Sequence, residues 1–175
     1  MAPALTIIKN DLKISFEDTQ LILTLYFIFL AFGQILSGPF SDKYGRKPIL
    51  ILGASIYSIS AFFASFSSNI EILLILRCFQ GFGAAACLSV GRTILSDCYE
   101  IKEAAKEMSK MTAIMAIIPI SCFILGGFLA DFLGWRTNLI ALGLISLILV
   151  IVMSFFLKET LVEKAKSISF KSIFV

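Results

Sequence analysis

Residues Gln20–Pro48 read QLILTLYFIFLAFGQILSGPFSDKYGRKP. Gln20 to Phe40 carries no charge, and the turn that follows at once holds Asp42, Lys43, Arg46 and Lys47. At ~1.5 Å per residue, an uncharged run of that length crosses a hydrocarbon core of about 30 Å as a helix. The charges at its end then mark where the chain leaves the lipid. This stretch sets the class, because no soluble domain needs so long an uncharged segment.

The rest of the chain repeats the pattern. Further apolar runs cover Pro48–Phe66, Ile70–Leu95, Met108–Phe132 and Asn138–Leu157. Across 175 residues, 58% are hydrophobic and 15% charged, with a mean hydropathy of +0.94. Soluble domains carry about 25% charged residues, so lipid is the expected solvent. A helix satisfies its own backbone in lipid, whereas an open sheet does not. The expected fold class is therefore all-α, a polytopic transmembrane bundle of five spans, with no room for a sizeable extramembrane domain.

The connections are short, so consecutive helices should run antiparallel. The positive-inside rule then fixes the orientation. One side collects Lys43, Arg46, Lys47, Arg92, Lys102, Lys106, Lys110, Lys158, Lys164, Lys166 and Lys171; the other holds only Lys9, Lys13 and Arg136. The first group is expected in the cytoplasm, with residues 158–175 there and residues 1–19 outside. An outer start bearing two lysines and no signal-like apolar core implies one more helix upstream, entering from the cytoplasm. The net charge of +3 is thus accounted for by topology, and no nucleic-acid partner is expected.

Function classes narrow in the same way. There is no histidine, and Cys78, Cys87, Cys98 and Cys122 have no paired spacing, so neither a metal site nor a Cys-His nucleophile is expected. A membrane enzyme would need a buried nucleophile with its base, and every carboxylate lies in a loop or at a helix end.

Two motifs carry the remaining information. Gly38, Asp42, Lys43, Gly45, Arg46 and Lys47 form G-x-x-x-D-K-x-G-R-K. A plain basic turn explains the charges but not the spacing, while a carboxylate among cations at a helix end can form a compact, releasable cluster. Arg92 and Asp97, at the same end of the third span, are either further members of that network or ordinary interfacial charges.

The third span also holds Arg77, Gln80 and Gly81 within RCFQGFGAAA. An arginine in a helix centre costs about 2.5–3.5 kcal/mol on insertion scales; snorkelling to the outer interface is the alternative. If Arg77 is buried it needs a partner. Gln34 and Gln80 offer oxygens but no charge, so the carboxylate is expected on the helix upstream. Pro119, Gly126 and Gly127 should bend and thin the fourth span. Tyr26 and Tyr57 are candidates to line a cavity, although packing explains them as well.

The inner-loop pattern resembles the signature of the major facilitator superfamily, where that loop latches two halves during alternating access. R-x-x-Q-G-x-G-A-A is similar to the fourth-helix motif of its antiporters, which implicates Arg77 in proton coupling. The fifth-helix G-P-x-x-G-G element is only partly present, since Cys122 and Phe123 replace the Gly-Pro pair. Pro3-Ala4-Leu5, Leu25-Tyr26, Gly33-Gln34, Gly134-Trp135-Arg136 and Leu157-Lys158-Glu159-Thr160 follow the order seen in bicyclomycin-resistance-type (Bcr/CflA) drug efflux proteins. That resemblance covers the whole chain. It implies helices two to six of a twelve-helix transporter of the bacterial inner membrane, with an acidic first helix before Met1 and a second half after Val175. It further implies a drug or small metabolite as cargo, the lipid bilayer as surroundings, and the proton gradient in place of any cofactor. The competing expectation is a non-transporting remnant or an accessory membrane protein.

Overall fold

The computed structural model describes residues 4–161. They form six helices: α1 (Leu5–Leu12), α2 (Phe16–Tyr44), α3 (Arg46–Ser65), α4 (Ile70–Cys98), α5 (Ile101–Leu133) and α6 (Trp135–Phe156), with no strand among the described residues. The helices α2 to α6 are each long and apolar enough to span a bilayer. Pro3 and residues 162–175, including the lysines counted there and most of the expected cytoplasmic segment, lie outside the described residues.

The helix ends follow from local chemistry. The Ser15 hydroxyl oxygen accepts from the Asp18 amide at 3.0 Å and starts α2; the Asn69 side chain accepts from the Glu71 amide at 3.1 Å and starts α4. Glycines make the two sharpest breaks. Gly45 has φ +112° between α2 and α3, and Gly134 has φ +83° between α5 and α6, a region closed to most side chains.

Most helices run a few residues past the expected apolar runs, α2 over Phe16–Tyr44 for instance, and two differences are larger. The loop expected over Ser96–Glu107 shrinks to Tyr99–Glu100, because α5 begins at Ile101 rather than Met108. Its first turns are charged rather than apolar, and pairs such as Lys110 with Glu107 at 2.6 Å support a helix in water. The outer segment contains α1, whose Ile8 is fully buried together with Ile22, Leu73, Trp135 and Leu139.

Packing centres on α4, which lies against α2 and α3; α3 in turn packs on α6, while α5 touches α6 and α4 more lightly. Small residues allow the close contacts, as is usual between membrane helices. A Cβ at Gly81 would collide with the Tyr26 carbonyl oxygen, and one at Gly83 would meet that of Gly53 at 2.5 Å. Hydroxyls join α3 to α6: Ser58 donates to the Gly143 carbonyl at 2.8 Å and Ser146 to that of Ala54 at 3.0 Å. Large apolar side chains cover the outside of the bundle, above all on α5, as expected where the solvent is lipid.

Candidate functional site

Three polar clusters stand out, one at each end of the bundle and one inside it. At the inner-loop end, Arg46 is the hub. It is the first residue of α3, so its side chain returns across the last turn of α2 and reaches the end of α4. Its Nε donates to Asp97 Oδ2 at 2.9 Å, and one terminal nitrogen donates to Asp42 Oδ1 at 2.5 Å and Ser41 Oγ at 2.6 Å. Ser41 can accept because its own proton goes to the Gly38 carbonyl at 2.8 Å. Arg46 keeps only 6% of its surface exposed, so the ion pairs are shielded far better than ordinary surface pairs.

The other inner-loop residues divide. Gly45 supplies the break, and Lys43 Nζ sits over the Tyr44 ring at 5.2 Å. Lys47 Nζ leaves the cluster and donates to the Ser154 carbonyl of α6 at 2.8 Å. Of the two residues expected at the end of the third span, Asp97 joins the network, whereas Arg92 is exposed and makes no ion pair among the described residues.

Glu159 was not singled out as a site by its sequence. Its carboxylate accepts from the backbone amides of Arg46 at 2.9 Å, Lys47 at 3.3 Å, Thr160 at 3.1 Å and Leu161 at 3.2 Å. Partial burial pushes its pKa up, but these four amides pull harder and leave it below the usual glutamate range. The available signal was an acid just past the last span in a chain whose Gly45 has no side chain to cap α3.

Inside the bundle, Arg77 is 4% exposed and Gln80 fully buried. One terminal nitrogen of Arg77 donates to Gln80 Oε1 at 2.8 Å. Its Nε and second terminal nitrogen, together with Gln80 Nε2, meet no acceptor among the described residues. Arg77 is therefore not snorkelled: the small residues around Gly81 draw α2 and α4 together over it. Gln34, Tyr26 and Tyr57 make no hydrogen bond to it among the described residues. Leaving a buried charge without a counter-ion costs about 3–5 kcal/mol. In α5 the helix runs unbroken through Pro119. The Gly126 carbonyl accepts from Asn138 Nδ2 of α6 at 2.9 Å, and Gly126 and Gly127 are both half-buried.

At the opposite end, Asp11 of α1 accepts from Trp135 Nε1 at 3.0 Å and Arg136 at 2.6 Å. Arg136 also reaches the Ser67 carbonyl at 3.3 Å and stacks over the Trp135 ring at 4.5 Å. The indole and guanidinium hydrogen bonds hold the Asp11 carboxyl below its usual range.

Residues 1–174 match the Major Facilitator Superfamily. The chain is 31% identical over 158 residues to the bicyclomycin resistance protein homolog of Haemophilus influenzae, covering 90% of this chain and 40% of that protein. It is 33% identical over 143 residues to the chloramphenicol resistance protein of Pseudomonas aeruginosa, covering 81% and 34% respectively. With the multidrug resistance protein MdtL of Escherichia coli the identity is 29% over 153 residues, covering 87% and 39%. The chain thus spans about two-fifths or less of the length of these relatives.

Proposed function

This chain belongs to the major facilitator superfamily, and from that premise we propose that it is part of a proton-coupled antiporter exporting drugs or small metabolites. It is a multi-pass membrane protein. Its proposed setting is the bacterial inner membrane, with the Arg46 end and the C-terminus in the cytoplasm. The names of its relatives, bicyclomycin, chloramphenicol and multidrug resistance proteins, support efflux as the direction and drugs as cargo.

The observation that carries the coupling step is Arg77, buried with two nitrogens that meet no acceptor among the described residues. We assign its counter-ion to an acidic side chain on a helix upstream of Met1. While that acid is ionised it pairs with Arg77; when it takes a proton, the pair dissolves and the guanidinium is free to exchange partners. Exchange of a proton for cargo then requires only that the two compete for one site, with Gln34, Gln80 and Gly81 on its walls. The Asp42–Arg46–Asp97 cluster, with Lys43 and Lys47 beside it, is proposed as the cytoplasmic latch that holds one state of the alternating cycle.

The test uses the chain joined to the complementary helices of a relative. Arg77→Ala should abolish proton-driven efflux while leaving membrane insertion intact, and Asp42→Asn should slow turnover. Normal efflux from both variants would remove the mechanism.

A further inference from the structure

The end of α6 and the start of α3 lie together although 113 residues separate Glu159 from Arg46. A helix start exposes amides without partners and a helix end exposes carbonyls without partners. The residue before α3 is Gly45, which offers no side-chain cap. Glu159 fills that role, accepting from the Arg46 and Lys47 amides. Pro48 has no amide proton, and the Gly45 amide is taken by the Ser41 carbonyl, so the first turn of α3 depends on Glu159 for the amides of Arg46 and Lys47. The carboxylate also matches the positive end of the helix dipole.

The same two helices make the converse contact. Ser154 lies in the last turn of α6, where its carbonyl has no helical amide to receive, and Lys47 Nζ donates to it at 2.8 Å. An acid of the segment leaving α6 caps α3, and a base of α3 caps α6. Gly45 makes room for this: a Cβ there would stand 2.5 Å from Glu159 Oε2.

We propose that Glu159 and Lys47 form a reciprocal cap that makes the stretch leaving α6 part of the inner-loop cluster, with Glu159 acting as a positioning residue for Arg46. Glu159 fixes the backbone of Arg46, and Asp42, Ser41 and Asp97 fix its side chain. Displacing that segment therefore loosens the hub from behind. The consequence for turnover rests on the transport reading above; the cap itself does not.

Hydrogen–deuterium exchange on the whole chain in nanodiscs tests this. Glu159→Ala should speed exchange of the Arg46 and Lys47 amides about fivefold, the worth of one helix cap, and also loosen the end of α4 around Asp97. Lys47→Met should loosen the last turn of α6. Glu159→Gln, which keeps the shape and one acceptor but loses the charge, should give a smaller increase at the same amides. Changes confined to the residues next to each substitution, with the far helix end untouched, would overturn the inference. In the joined transporter, Glu159→Ala should alter kcat and leave KM for cargo unchanged. If the exchange effect appears and kcat does not move, the cap stands and the latch reading fails.

Discussion

Arg46 and Arg77 are both more than nine-tenths buried, yet they sit in opposite electrostatic conditions. Arg46 is met by two carboxylates and a hydroxyl, Arg77 by a single neutral amide oxygen. The first is a strut, whose removal strands two acids; the second is the charge to which the proposed mechanism assigns an acidic partner. Asp11 allows a sharper test, because its partner Trp135 is the only tryptophan in the chain. The hydrogen bonds from Trp135 and Arg136 hold its carboxyl below the usual aspartate range. A lowered pKa means that the tie contributes fully above the ordinary carboxylate value and is lost as pH falls through the folded one. Trp135 fluorescence should therefore hold steady down to about pH 4 and change below it, and Asp11→Asn should abolish that transition. An acid transition that survives in Asp11→Asn would assign the signal to another group. These residues differ in how far their sequence announces them. Arg77 is visible as an arginine within an apolar run, and Asp97 as an acid at the same end of the third span, although the sequence leaves open whether it or Arg92 joins the network. Glu159 is not, because it lies 113 residues from Arg46, and linear spacing does not say which helix ends meet.

Among the elements, α4 bears the tightest contacts, and its glycines are not equivalent. Gly81 and Gly83 face backbone of α2 and α3, while a Cβ at Gly91 meets nothing within 4 Å. Gly81→Ala and Gly83→Ala should each destabilise the bundle by about 1–3 kcal/mol, since backbone cannot step aside. Gly91→Ala should be neutral or stabilising by up to about 1 kcal/mol through helix propensity. Thermal unfolding in detergent distinguishes them, and equal effects at Gly81 and Gly91 would refute the packing argument. The same physics explains what the sequence could reveal of the elements. Five spans are legible because lipid demands long uncharged runs. The first turns of α5 are not, because a helix in water needs no apolar residues and the charges of Lys102 to Lys110 resemble a loop. Nor is α1, whose Ile8 becomes core only once α2, α4 and α6 have assembled around it.

For the molecule as a whole, polar ties close both ends of the bundle and divide its charges. Contacts of Arg46 with Asp97 and Glu159 gather the ends of α2, α4 and α6 with the start of α3. Contacts of Asp11 with Trp135 and Arg136 gather α1 and the start of α6 at the other end. The first end carries Lys43, Arg46, Lys47, Arg92, Lys102, Lys106, Lys110 and Lys158, and the second only Lys9, Lys13 and Arg136. The positive-inside rule predicts that the Arg46 end faces the cytoplasm. Cys98 is exposed beside Asp97 and reports that face without any added probe. With Cys78, Cys87 and Cys122 replaced by alanine, a membrane-impermeant maleimide should label Cys98 in inside-out vesicles and spare it in right-side-out ones. A cysteine at Lys13, introduced with Cys98 also removed, should show the reverse pattern. If both positions label from the same side, the helices cannot alternate as five antiparallel spans; if the two patterns are exchanged, the latch would stand outside, and Arg46 could not hold a cytoplasmic gate.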